Sequence, residues 1–99
     1  MRIISQDGKI DLPYEQACLT LGYVYALDKD NIPEEHYCIL TKIDGEKYRL
    51  AEYTDKNKAD YIFKSIYMAY HEGASVVILG QESEIEIETE GEATNEGKP

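Results

Sequence analysis

Asp44-Gly45 is the pair of residues that most limits what this chain can become. It separates residues 37–43 from residues 46–53, two stretches that alternate apolar and polar side chains. Asp-Gly tolerates the positive φ angles of a tight hairpin turn, whose twist matches the strands on either side. A two-residue turn here sets Tyr37 opposite Glu52, Ile39 opposite Leu50, Thr41 opposite Tyr48 and Ile43 opposite Glu46. That face is mostly apolar. The other carries Lys42, Lys47 and Arg49 and is expected to be solvated.

The same signal recurs at the N-terminus. Asp7-Gly8 lies between Ile3-Ile4-Ser5 and Ile10-Asp11-Leu12, so Ile3 is expected to face Leu12 and Ser5 to face Ile10. Pro13 ends that pairing because it has no N–H to donate. Residues 17–27 place Ala17, Leu19, Leu21, Tyr23, Tyr25 and Leu27 on one side at period two, which predicts a strand with one apolar face. Gly22 inside it marks a bulge or a close backbone approach. Residues 28–35 read as a polar loop.

After the central hairpin the period changes. Ala59, Ile62, Phe63, Ile66 and Tyr70 recur at helical spacing, so one helix over about residues 55–72 aims an apolar face at a sheet. Thr54 is the expected N-cap, and Gly73 the expected residue just past the C-terminus. Residues 76–79 read as a buried strand. Runs of hairpins with a single late helix predict an α+β fold: an antiparallel sheet of four to six strands with one amphipathic helix packed on one face.

Ninety-nine residues hold one domain. The expected compact part is 1–80. Residues 81–99 form an acidic extension, with an edge strand over 83–90 and a disordered polar end from Gly91. The net charge of −10 is concentrated there. Residues 1–80 carry 13 acidic and 9 basic side chains, a balance of −4, and residues 81–99 carry 7 glutamates and one lysine, a balance of −6. Such a chain repels nucleic acid and anionic membranes, and charge directs it toward basic surfaces. No apolar run approaches the roughly 20 residues of a membrane-spanning helix. With no secretory signal pattern and only two cysteines, the expected location is the cytoplasm.

Cys18 and Cys38 with His36 and His71 are the only candidates for a thiol–imidazole pair or a zinc site. They lack the paired spacing of zinc ligands and any signature of a catalytic cysteine. His36 and Cys38, two apart on a strand, share the face opposite Ile39. Pro33 occupies the position where a calcium loop beginning at Asp28 needs glycine. There is no phosphate-cradling glycine loop, G-x-S-x-G or H-E-x-x-H. No catalytic, cofactor or metal residue is therefore expected, and the chain reads as a non-enzyme.

Nine tyrosines are many for this length. Tyr23, Tyr25, Tyr48 and Tyr70 take core-facing positions in this scheme. Tyr14, Tyr53, Tyr61 and Tyr67 are left as candidates for a binding surface, since tyrosine is enriched at protein interfaces. Glu82, Glu84, Glu86, Glu88 and Glu90 are the matching acidic candidates, able to occupy a basic channel that normally holds phosphates.

The opening Met1-Arg2-Ile3-Ile4-Ser5-Gln6-Asp7-Gly8-Lys9-Ile10-Asp11-Leu12-Pro13-Tyr14-Glu15 resembles the start of a group of small proteins from phages and prophages of Gram-positive bacteria, which usually carry no assigned function. Leu50-Ala51-Glu52-Tyr53-Thr54 resembles the strand-to-helix junction of that group, and the amphipathic helix follows it. The resemblance implies a mobile-element origin but no mechanism and no site residues. The acidic end after Gly80 departs from the group's pattern. The expected function is protein binding: inhibition or modulation of a host nucleic-acid-handling protein with a basic surface, of the anti-CRISPR or another counter-defence type, without direct contact to nucleic acid or membrane. The alternatives are an accessory phage or prophage protein acting by self-association through a sheet edge, and a small Cys/His enzyme or metal protein.

Overall fold

The computed structural model describes residues 1–85, which run in the order β1 (Arg2–Ile4), β2 (Asp11–Pro13), β3 (Leu19–Leu27), β4 (Pro33–Ile43), β5 (Glu46–Tyr53), α1 (Lys56–His71) and β6 (Val76–Ile78). The fold is α+β. Its six strands form two three-stranded sheets rather than one, ordered β2-β1-β6 and β3-β4-β5. All pairings are antiparallel except β1 with β6, which is parallel. Sequence periodicity carries no sign of that pairing, because the β6 partner lies beyond the helix.

Both Asp-Gly turns form. Asp44 and Gly45 take φ angles of 52° and 85°, and Gly8 takes 76°. Ile3 pairs with Leu12, and the Ser5 N–H donates to Ile10 O at 2.8 Å, which is the expected N-terminal register. In the central hairpin Ile43–Glu46 and Thr41–Tyr48 pair as expected. Beyond them a bulge between Ile39 and Leu40 shifts the register, so Ile39 faces Ala51, Cys38 faces Glu52 and Tyr37 faces Tyr53. The expected pairs Ile39–Leu50 and Tyr37–Glu52 are thereby corrected. Leu50 and Ala51 are adjacent and both buried, which a regular strand with one buried face does not allow.

The bulge serves the join between the two sheets. Its Leu50 carbonyl accepts the Gln6 N–H at 2.7 Å. The Gln6 side chain then grips the next residues: Oε1 accepts from Glu52 N at 3.0 Å, and Nε2 donates to Gly80 O at 3.0 Å. One glutamine so ties β5, the end of β1 and the segment after β6.

The core is filled from both sheets and the helix. Ile3, Leu12, Ile39, Leu50, Ala51, Tyr53, Ala59, Ile66 and Leu79 form one buried cluster. Each large aliphatic side chain here contributes about 1.5–3 kcal/mol through burial. The helix presents the expected face: Ala59 and Ile66 are buried, and Ile62 and Phe63 pack against the cluster. Its N-cap is Asp55, whose carboxylate accepts from Asn57 N, one residue later than expected. Gly73 ends the helix at φ 83°. Its N–H donates to Tyr70 O, and that of Ala74 donates to Ala69 O, closing the last turn.

Three expectations of burial are corrected. Tyr23, Tyr25 and Leu27 stand 61%, 69% and 65% exposed, because the far end of the β3–β4 ribbon extends past the elements that could cover it. Tyr48 and Tyr70 are also exposed. β6 is an edge strand: Val76 and Ile78 face outward, and only Leu79 after it is fully buried. Gly22 does not mark a bulge, since β3 and β4 pair without a break over nine residues; a Cβ there would meet Leu40 Cδ1 at 3.2 Å. Residues 82–84 form a 3-10 turn, and Ile85 packs against the core, so the ordered unit continues past Gly80. The rest of the expected 83–90 strand and the end from Gly91 lie outside the described residues.

Candidate partner-binding surface

Where β2 ends at Pro13, the chain turns through a 3-10 turn at Tyr14–Gln16. The Tyr14 N–H donates to Met1 O at 2.7 Å, which fixes the start of the turn against the N-terminus. This lays the Tyr14 ring on Tyr70 of the last helical turn, with centroids 4.3 Å apart and planes at 25°. Tyr67, one turn earlier, meets His71 edge-on at 4.4 Å. An open groove of about 910 Å³ runs between this turn, the start of β3 and the helix. Its apolar lining includes Tyr14, Leu19, Phe63, Tyr67, Met68 and Tyr70, with Glu15 and Lys64 also at its walls. Tyr67 is 55% and Met68 52% exposed.

The structure divides the expected tyrosines. Tyr14 and Tyr67 line the groove. Tyr61 is exposed on the helix but does not line it. Tyr53 is 1% exposed, so it is a core residue and not a surface one. Its hydroxyl donates to Gly80 O at 3.1 Å, and burial, reinforced by nearby Glu82, pushes its pKa up to about 12. The register shift at the bulge turns Tyr53 inward, opposite Tyr37. Phe63, Met68 and Tyr70 are groove residues that the sequence reading assigned to the core or left unassigned. Phe63, Tyr67 and Tyr70 stand at i, i+4 and i+7 on one helix side, a spacing visible in the sequence, whereas Met68 falls outside that spacing.

The acidic candidates also part company. Glu82 turns back onto the domain. Its carboxylate accepts from Thr54 Oγ1 at 2.8 Å, Thr54 N at 3.1 Å and Asp55 N at 2.9 Å. Burial alone pushes its pKa up, yet these hydrogen bonds outweigh it and hold the carboxyl below the usual range. A carboxylate at the helix N-terminus is also favoured by the helix dipole. Glu84 is exposed and accepts from Gln81 N at 3.0 Å. Glu86, Glu88 and Glu90 lie outside the described residues.

On the opposite face of the β3-β4-β5 sheet, His36 and Cys38 share a side as the spacing requires. They do not act as a pair. His36 is held by Glu52 through Nδ1 and by Glu34 through Nε2, and these hydrogen bonds raise its pKa. The His36 bond holds the Glu52 carboxyl below the usual range, with Arg49 adding to the effect. Cys38 is 2% exposed, and burial pushes its thiol up, which disfavours the nucleophilic thiolate. Cys18 is exposed, in the connection just before β3. Among the described residues no three His, Cys, Asp or Glu side chains converge as metal ligands, and no helix is long and apolar enough to cross a membrane. Comparison with protein-family models, with curated proteins and with solved structures gave no match for this chain.

Proposed function

We propose that this chain is a non-enzymatic protein-binding module that docks on a basic surface of a host nucleic-acid-handling protein and modulates it. The observation that carries the reading is the tyrosine-lined groove. Partly exposed aromatic and methionine side chains at one concave site are the composition of interface centres, where a few buried aromatic anchors supply most of the binding energy. The net charge of −10 supports the choice of partner, because it steers the chain toward basic surfaces and away from nucleic acid itself. An apolar anchor of the partner fills the groove, and basic side chains around it meet the acidic surface. The resemblance of the opening residues to phage and prophage proteins fits a counter-defence role for such a module.

The test is capture from host lysate after nuclease treatment, with wild-type chain run beside a Tyr14→Ala/Tyr67→Ala variant. A basic DNA- or RNA-handling protein that is retained by wild type, lost with the variant, released by salt and inhibited when bound supports the reading. Identical capture by both chains removes the groove from it. Binding indifferent to ionic strength removes the basic partner.

A further inference from the structure

The two outer edges of the β3-β4-β5 sheet are treated differently. The β5 edge is bent by the bulge and occupied by Gln6, which takes Leu50 O through its N–H and clasps Glu52 with its side chain. Among the described residues the β3 edge has none of the devices that protect strand edges. It has no bulge and no proline, and it pairs with β4 without a break from Leu19 to Leu27. In a chain of net charge −10, residues 16–27 carry no charged side chain. Among the described residues no hydrogen bond from outside the β3–β4 ladder reaches Leu19–Leu27.

The Asp28 N–H donates to Ile32 O at 3.0 Å at the mouth of the β3–β4 connection. By the alternation of an antiparallel ladder, even-numbered β3 residues bond to β4, and the N–H and C=O of Leu19, Leu21, Tyr23, Tyr25 and Leu27 point outward. Tyr23 is the midpoint of β3.

We infer that β3 pairs antiparallel with β3 of a second copy about a two-fold axis at Tyr23, joining two three-stranded sheets into one of six. In that register every outward-pointing residue meets an outward-pointing one. Tyr23 faces itself, Leu21 faces Tyr25 and Leu19 faces Leu27. A second copy fits this edge because the pairing is apolar along its whole length and brings no charge opposite a like charge, whereas the rest of so acidic a surface repels itself. At ~200 Å² per full side chain, Tyr23, Tyr25 and Leu27 expose roughly 400 Å² per chain. With the backbone edge, full coverage of these side chains brings the buried area to at most about 1,000 Å², the threshold of a specific interface and that of a weak dimer. The two-fold consumes the β3 edge of each copy, so assembly through this edge closes at two. This inference stands apart from the groove reading: only Leu19 is common to the two surfaces, and self-association is read without a foreign partner.

The test is sedimentation equilibrium of the full-length chain from about 1 to about 300 µM, the range of a weak dimer of this area. The expected mass rises toward twice the 11.3 kDa of the chain. Tyr23→Lys and Tyr23→Glu, at a mostly exposed position, are each expected to remain monomeric with unchanged circular dichroism. Mixed in equal amounts they are expected to form a heterodimer, because the two-fold sets the introduced charges opposite each other. A wild-type monomer throughout the range overturns the proposal and leaves the edge to a foreign strand or to residues 86–99. A dimer that survives Tyr23→Lys, or two variants that do not associate when mixed, overturns the register.

Discussion

Replacing Gln6 by alanine tests the join between the two sheets. The substitution keeps the main-chain bond from Gln6 N to Leu50 O and deletes only the side-chain amide. Two good hydrogen bonds disappear, Glu52 N to Oε1 and Nε2 to Gly80 O, each at 3.0 Å, along with a longer contact from Nε2 to Glu52 O at 3.4 Å. The losses are unequal. Gly80 O keeps the Tyr53 hydroxyl as a donor, so its loss costs about 0.5 kcal/mol. Among the described residues the Glu52 N–H keeps no partner, on a half-buried strand, which costs about 1.5 kcal/mol. The sum is about 2 kcal/mol, or a fall of roughly 10 °C in Tm for a domain of this size. Urea unfolding followed by circular dichroism measures it, with an unchanged m-value expected because the surface exposed on unfolding stays the same. Amide exchange adds a local readout, since the Glu52 N–H is expected to lose protection while those of β3 and β4 keep it. A loss under about 0.5 kcal/mol, or full protection at Glu52, would refute the clasp.

Among the described residues Thr41 Oγ1 is buried without a hydrogen-bond partner, so Thr41→Val, which keeps the shape and removes the hydroxyl, is expected to stabilise the domain by about 1 kcal/mol in the same urea assay. His36→Gln is expected to give a pH-dependent loss. The raised His36 pKa means that its contribution is complete below the free-imidazole value of about 6.5 and fades as pH climbs through the folded value. The depressed Glu52 pKa adds an acid limit, with the contribution fading as pH falls below about 4.3. The stability difference between wild type and His36→Gln should therefore be largest near about pH 5.5 and shrink toward about pH 9; a difference constant across that range counts against the Glu34–His36–Glu52 arrangement.

What the sequence made legible is whatever is decided within a few residues. Both Asp-Gly turns, the register beside each, the helix with its buried face and its Gly73 terminus all follow from local stereochemistry and period. The misses are features decided by something distant. Leu50-Ala51 reads as one residue in and one out until Gln6, 44 positions earlier, gives the bulge its purpose. Period two correctly put Tyr23, Tyr25 and Leu27 on one face of β3, but period tells which side a residue occupies, not whether anything covers it. Tyr53 turns inward for the reason that shifts the hairpin register, and Glu82, a candidate for a basic partner by composition, folds back onto Thr54 and Asp55 at the helix terminus, contacts that lie 28 and 27 positions away. For the candidate surface, tyrosine count pointed to Tyr14 and Tyr67, while the stacking of Tyr14 on Tyr70 that shapes the groove required the tertiary fold.

The parallel pairing of the first strand with the last has a consequence for how the chain is made. Arg2 lies beside Val76 and Ile3 beside Val77, a separation of 74 residues. The β3-β4-β5 meander and the helix that follows need only neighbours in sequence, so they assemble at a low loop-closure cost. The first strand emerges early, with only the short β2 beside it, and waits for β6. During synthesis its second edge stays open until nearly the whole described chain has left the ribosome. Docking of β6 therefore carries a large loop-closure cost, and until it occurs Ile3, fully buried in the finished core, stays open to a chaperone or a neighbouring nascent chain.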